Sequence, residues 1–236
     1  MVLPVVLSVI VDRKWYVVLS ARDVGLAYGK TVALAGASVT VAEGSVVALI
    51  GASGSGKSSL LYCLAGLLTP DTGEIRFDGV LLNGLSEDDR SDLRRKDFGF
   101  VFQFAELVPE LTLRQNIALP LELNRWRRSA RKQRVDELLE QLDIHQQADR
   151  RPVQVSGGQA QRAAVARAIA HRPRMLFADE PTGALDSVNG AIVLESLLQL
   201  AKVNRTSVVL VTHDRAIARR ADEVVEMRDG RMVGSE

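Results

Sequence analysis

One cysteine, Cys63, is all that a chain of 236 residues contains. A lone thiol excludes an intrachain disulfide and any cysteine-based metal cluster, and it fits a reducing compartment. Net charge is nearly absent as well. The formal balance is +1, so there is no electrostatic reason to expect nucleic acid as a partner. Nor does any uninterrupted apolar run reach the roughly 18–20 residues that a bilayer-crossing helix needs. Work across a membrane would therefore require a separate membrane partner. The apolar start, Met1 to Val11, is short and contains Pro4, and its charges (Asp12, Arg13, Lys14) follow the run. A secretory signal has the opposite order. This start reads as an extra strand, a loose tail or a misplaced start codon, with contact to a membrane as the sharper alternative. Internal repeats and low-complexity stretches are missing too.

What is present is ordinary for a globular protein: 47% hydrophobic and 25% charged residues. The length suits one large domain or a core plus a small subdomain, with a core that needs neither disulfides nor metals. Three apolar runs, Val46–Ile50, Met175–Ala178 and Val208–Val211, are continuous instead of alternating. That pattern predicts strands buried on both faces of a parallel sheet. Helical patterns lie between them. Lys57–Leu67 follows the first run, and Val193, Leu197, Leu200 and Ala201 repeat on one helix face before the third. Alternation of this kind argues for an α/β core with right-handed crossovers. Outside it, Val17–Val41 reads as β-rich with a turn at Tyr28-Gly29-Lys30, and about Leu107–Gln154 reads as helical. Val135, Leu138, Leu139 and Leu142 form an apolar stripe there, and Pro120 is expected to kink or break the helix holding Ile117 and Leu119. Asp229-Gly230 signals a terminal hairpin between Val224–Met227 and Arg231–Val233.

The chemistry starts after the first strand. Gly51-Ala52-Ser53-Gly54-Ser55-Gly56-Lys57-Ser58 fits G-x-x-x-x-G-K-[ST], between a strand and a helix. Glycines let successive backbone N–H groups turn inward, and the helix N-terminus adds its positive end. Lys57 is expected on the β- and γ-phosphates of a nucleoside triphosphate and the Ser58 hydroxyl on Mg²⁺. The bland reading, a Gly/Ser-rich surface turn, ignores the required order of strand, motif and helix. Met175-Leu176-Phe177-Ala178-Asp179-Glu180 is an apolar strand that ends in two acids. A parallel neighbour of the first strand delivers both acids to the same carboxyl edge. Asp179 is then placed for the Mg²⁺ shell and Glu180 for the attacking water. Alone, the pair could be a solvated turn before Pro181.

A further stretch is more specific. Val155-Ser156-Gly157-Gly158-Gln159, continued by Ala160-Gln161-Arg162 and an Ala-rich helix, resembles the signature of the ABC transporter ATP-binding family, with Val155 where Leu is usual. Ser156 is a good N-cap, and the glycines expose backbone N–H groups at a second helix head. The resemblance runs from about Val17 to the C-terminus and leaves residues 1–16 outside. It implies an α/β fold: a P-loop NTPase core with a mostly parallel sheet, an N-terminal antiparallel β subdomain, and an α-helical subdomain at about residues 104–170 that carries the signature. It implies hydrolysis of ATP with Mg²⁺ and a head-to-tail dimer with a second copy of the chain. Nucleotide contacts then fall on Tyr28 (adenine), Gly51, Ser53, Gly54, Ser55, Gly56, Lys57, Ser58 and Ser59. Across the dimer they fall on Ser156, Gly158 and Gln159, with Asp186 coupling the subunits. Ser58, Gln103 and Asp179 would serve Mg²⁺, while Lys57, Gln103, Glu180 and His213 would serve catalysis. A lone histidine after a strand is more often packing, but His213 matches in order and context.

Phe98–Gln103, Leu107–Thr112, Asn116–Leu121 and Glu180–Ser187 are similar to a subgroup serving lipoprotein release, macrolide or peptide efflux, haem efflux and cell division, although Ala184 replaces the more usual Asn. That implies a peripheral place on the cytoplasmic face of the inner membrane. It also implies a permease docked near Phe104, Leu107 and Val108, unless these residues only fill a subdomain interface. An importer ATPase shares the catalytic motifs, and a soluble ABC ATPase acting on DNA or ribosomes is a third class; a non-hydrolysing binding module is the weakest, since Glu180 and His213 are both present. Six basic residues between Arg125 and Arg134, around Trp126, read as a solvated helix face, not a nucleic-acid patch.

Overall fold

A computed structural model describes residues 16–235; the apolar start and the expected N-terminal extension thus lie almost wholly outside the described residues. Strands β1 (Val17–Tyr28) and β2 (Thr31–Ala42) form a hairpin through Gly29-Lys30. With β4 (Thr72–Phe77) and β5 (Val80–Leu81) they make an antiparallel sheet in the order β2-β1-β4-β5. The second sheet holds β3 (Val46–Ile50), β6 (Phe98–Val101), β7 (Met175–Asp179), β8 (Ser207–Val211), β9 (Glu223–Arg228) and β10 (Arg231–Ser235). Its order is β10-β9-β3-β8-β7-β6, parallel except where β10 folds back on β9. Asp229 and Gly230, with φ of 48° and 74°, make that hairpin turn; both central residues are left-handed, as the Asp-Gly signal requires.

The three apolar runs are strands, and their continuity has the expected cause. Val47, Leu49, Met175, Phe177, Val209 and Val211 enter one core cluster. Leu176, Ala178, Val208 and Leu210 enter another on the opposite face. The first cluster lies under the antiparallel sheet and helix α1 (Lys57–Leu64); the second is closed by α5 (Gly157–Ile169) and α6 (Ser187–Asn204). Val193, Leu197, Leu200 and Ala201 are the buried face of α6, as their spacing predicts.

Two helix boundaries differ from expectation. Helix α1 stops at Leu64, not Leu67. Gly66 takes φ 62°, and the N–H groups of Gly66 and Leu67 turn back to the carbonyls of Cys63 and Tyr62, a left-handed C-terminal cap. Helix α3 (Leu113–Leu123) runs on through Pro120 instead of breaking there. A proline three residues from the end forfeits one hydrogen bond, and full burial of Ile117 and Leu121 holds the last turn. Helix α4 (Arg128–Gln141) buries the expected Val135, Leu138 and Leu139. It also buries Arg134, which donates to the carbonyl of Ala170 and to Asn204 Oδ1, both at 3.2 Å. The basic cluster is therefore not one solvated face. Helix α2 (Glu87–Asp97), which no apolar periodicity announces, buries no residue. Its surface is laced by Glu87–Arg90, Glu87–Arg94 and Asp92–Lys96 pairs. A last short helix, α7 (Arg215–Ala218), leads into β9.

Candidate active site

The loop after β3 takes its shape from three glycines, Gly51, Gly54 and Gly56, with φ of 149°, 77° and 99°. Two are enclosed. A Cβ at Gly51 would lie 2.2 Å from the Met227 carbonyl oxygen, and one at Gly56 would lie 2.4 Å from that of Ala33. The loop thus threads between β2 and β9 where only glycine fits. Gly56 caps α1 without a side-chain bond, and no acid occupies the first turn. The positive end of α1 and its free amides consequently open into the loop. Lys57 folds back and donates to the Ala52 carbonyl at 2.8 Å. Ser55 Oγ is buried with no hydrogen-bond partner. Free amides and a lysine facing one hollow suit a phosphate chain.

The carboxylates come from β7, whose Asp179 stands opposite Val211 of β8. Asp179 Oδ1 accepts from Ser58 Oγ at 3.1 Å, and Oδ2 accepts from Tyr62 O–H at 2.8 Å. Burial, then the bond to Asp179, pushes the Tyr62 phenol up to about 12. Sequence reading passed over Tyr62, although its position four residues after Ser58 puts both on one helix face. Glu180 adopts φ 48°, a sparsely populated region for a residue with a Cβ. Its N–H is held by the Val211 carbonyl at 3.0 Å. Its Oε2 lies 2.9 Å from His213 Nδ1. The His213 side chain is 72% exposed, so the packing alternative for this histidine does not apply.

A cleft of about 470 Å³ brings together Lys57, Ser58, Ser59, Gln103, Glu180 and His213. Gln103 follows β6, and its amide lies against Gly183, where a Cβ would come within 3.0 Å of Nε2. No group of three or more His, Cys, Asp or Glu among the described residues is placed to hold a metal. What faces the cleft, a serine hydroxyl with a carboxylate behind it and one amide, suits Mg²⁺, which keeps waters and takes phosphate oxygens, and not a structural metal. Tyr28 is exposed and stands beyond the lining, paired with Thr31, which does line the cleft.

The pattern of the ABC transporter family matches residues 34–183, more than half of the chain. This protein belongs to the ABC transporter ATP-binding family. It is an ATPase of that family. The cassette is 40% identical over 215 residues to the lipoprotein-releasing system ATP-binding protein LolD of Xanthomonas campestris pv. campestris, covering 91% of this chain and 84% of that protein. The LolD of Xanthomonas oryzae pv. oryzae is 42% identical, with 91% and 82% covered. A solved dimeric ATP-binding cassette in a post-hydrolysis state, bound to ADP and Pi, matches with a TM-score of 0.85 and 35% identity, over 92% of this chain and 97% of that one.

The cassette's signature residues stand apart from its own phosphate loop. Ser156 caps α5, with Oγ accepting from the Gln159 N–H at 3.2 Å, while Gln159 Oε1 accepts from the Ser156 N–H at 3.0 Å. This capping box uses two of the amides at that helix head. Gly158 is buried, and a Cβ there would meet Asn189 Oδ1 at 3.0 Å. Asp186 caps α6 through the N–H groups of Val188 and Asn189. The Asn189 bonds, backbone first, hold the Asp186 carboxyl below its ordinary value. Asp186 lines a second cleft that shares Glu180 and His213 with the first. Ser156, Gly158 and Gln159 line neither.

Proposed function

We propose that this cassette closes head-to-tail with a second copy around two ATP and drives a separate membrane permease. Its place is then peripheral, on the cytoplasmic face of the inner membrane, in an exporter or mechanical transmitter of the lipoprotein-release type. The observation that carries this reading is the split site: Lys57, Glu180 and His213 share one cleft, and Ser156, Gly158 and Gln159 lie outside it. A second signature, from a second chain, would supply the missing wall. Among the described residues no helix is long and apolar enough to cross a membrane, which fits a separate permease.

In this reading the loop amides from Gly51 to Ser59 bind the phosphates and Lys57 leaves Ala52 for them. Ser58, Asp179 and Gln103 would hold Mg²⁺, which supplies neutralisation of phosphate charge. Glu180 orients the attacking water, and His213, already bonded to Glu180, fixes that carboxylate and reaches the γ-phosphate. Positioning and charge stabilisation are most of what phosphoryl transfer needs. Tyr28 and Asp186 serve adenine and the subunit contact. The permease would enter a cleft of about 530 Å³ lined by Phe98, Phe100, Leu119, Pro120 and Leu123, between β6 and α3. None of the three residues expected at the permease contact lines this cleft: Phe104 is 74% exposed outside it, and Leu107 packs on the second core cluster. Phe104 is the accessible one.

Glu180→Gln tests the catalytic reading. Turnover should fall by orders of magnitude, and light scattering should detect an ATP-dependent dimer; unchanged turnover overturns it. Purified from native membranes with ATP, the variant should carry a permease with few spans and a large outer domain. A multi-span permease with a solute-binding protein would replace the reading with import, and a ribosome or DNA complex would end the membrane assignment.

A further inference from the structure

Gln161 lies on α5, five residues after the Ser156 cap, and is 2% exposed. Its side-chain Nε2 donates to the Phe102 carbonyl at 2.7 Å and to the Pro181 carbonyl at 2.8 Å. Both partners are acceptors only, so the amide orientation is forced and both of its N–H hydrogens are used. Each carbonyl is one residue from a group in the cleft: Phe102 precedes Gln103, and Pro181 follows Glu180. The two loops also touch directly, since Gln103 Nε2 lies against Gly183 and the Gly183 N–H bonds the Glu180 carbonyl at 2.9 Å.

We propose that Gln161 is a positioning residue that sets the separation of the Gln103 and Glu180 loops and ties both to the signature helix. The inference rests on the roles given above to Gln103 and Glu180. A rigid helix carries Ser156 at its head and Gln161 about 7.5 Å further along its axis. A change in the direction of α5 therefore moves the Phe102 and Pro181 carbonyls with the signature. Nucleotide contact at Ser156 would reach the water-handling groups through one amide. Gln161 itself is buried and does not line the cleft. The competing role is purely structural: two buried carbonyls need a donor, and Gln161 is that donor.

Steady-state ATPase assays on the full chain separate the two. Gln161→Met keeps the length and removes both donors. Gln161→His places one ring N–H at a similar reach and keeps one. If Gln161 positions the loops, the Met variant loses kcat on the order of ten- to a hundredfold, because a displacement near 1 Å carries that cost. Its KM for ATP stays within about twofold, since the phosphate loop is untouched. The His variant falls between Met and wild type. Wild-type kcat per folded molecule in the Met variant, with only its melting temperature lowered, overturns the proposal. If the Met variant melts below the assay temperature, the His variant decides, and wild-type kcat there overturns it equally. Glu180→Gln is assayed alongside. Residual turnover near wild type in that control removes the reading of Glu180 and this inference with it. An inactive control beside a fully active Gln161→Met removes this inference alone.

Discussion

Gly56→Ala is the substitution whose cost can be worked most directly from the geometry. Gly56 has φ 99° and ψ 2°, and holding an L-residue in a left-handed conformation costs roughly 1–2 kcal/mol. The new Cβ would also lie 2.4 Å from the Ala33 carbonyl oxygen, 0.6 Å inside the 3.0 Å that real Cβ contacts keep (3.0 − 2.4). Ala33 is the extra residue at an irregularity in the β1–β2 pairing, but its neighbours Val32 and Leu34 are paired to Ala27 and Leu26 of β1, which limits how far it can yield. Overpacking of this kind typically adds about 1–3 kcal/mol. Together the two terms predict a loss of about 2–5 kcal/mol, within what a folded domain of 5–15 kcal/mol can absorb. Relief must come from the loop, which carries the amides of Lys57 and Ser58 away from the phosphate hollow, so ATP affinity should fall as well. Gly54→Ala is the control: φ is 77° and nothing lies within 4 Å of its Cβ, leaving only the conformational cost. Urea unfolding, with m unchanged, reads stability, and a fluorescent ATP analogue reads binding. Equal destabilisation by the two alanines would refute the argument from the Ala33 contact.

Two other outcomes are expected. Arg134→Ala should cost about 2–4 kcal/mol by denaturant unfolding, because it leaves the Ala170 carbonyl and Asn204 without their buried donor; the exposed Arg128→Ala should stay within about 0.5 kcal/mol. Asp78 accepts from Arg174 at 2.6 Å and from Tyr16, and the Arg174 bond first, then the Tyr16 hydroxyl, holds its carboxyl below the ordinary range. A depressed folded-state pKa contributes stability above the unfolded value near 3.9 and loses it as pH falls through the folded value. Asp78→Asn should therefore lower stability at pH 7 by at most about 1 kcal/mol, given the exposure of the pair, and the difference should close as pH falls through the depressed folded value.

Much of this was legible in the sequence because it is written locally. Val46–Ile50 is continuous because both its faces are covered, and the glycine pattern after it has the same local cause as the loop it forms. Asp179 and Glu180 end one strand, and His213 follows its parallel neighbour, so topology alone puts them on one edge of the sheet. Of the kink or break expected at Pro120, the break failed for the complementary reason. A proline's lost hydrogen bond is a local term, and the burial of Ile117 and Leu121 beneath the last turn of α3 is not. Helix α2 escaped for a different reason: no residue of it is buried and only half-buried Leu93 packs on the first core cluster, so the periodic signal is missing.

The groups that escaped sequence reading share a property: each is defined by partners on separate elements. Arg134 belongs to a run of basic residues, yet the C-terminal end of α5 and Asn204 of α6 take it out of solvent. Tyr62 reads as one more apolar position on α1 until β7 brings Asp179 within 2.8 Å. Gln161 sits in a signature-like stretch, where nothing in its neighbours along the chain reveals that Phe102 and Pro181 converge on it. Motifs record the residues that touch a ligand, because the ligand's chemistry restricts their type and spacing. Residues that hold motif to motif answer only to the distances between loops. Here those distances are set by a parallel sheet whose strand order departs from chain order, and so they become visible only when the sheet is assembled.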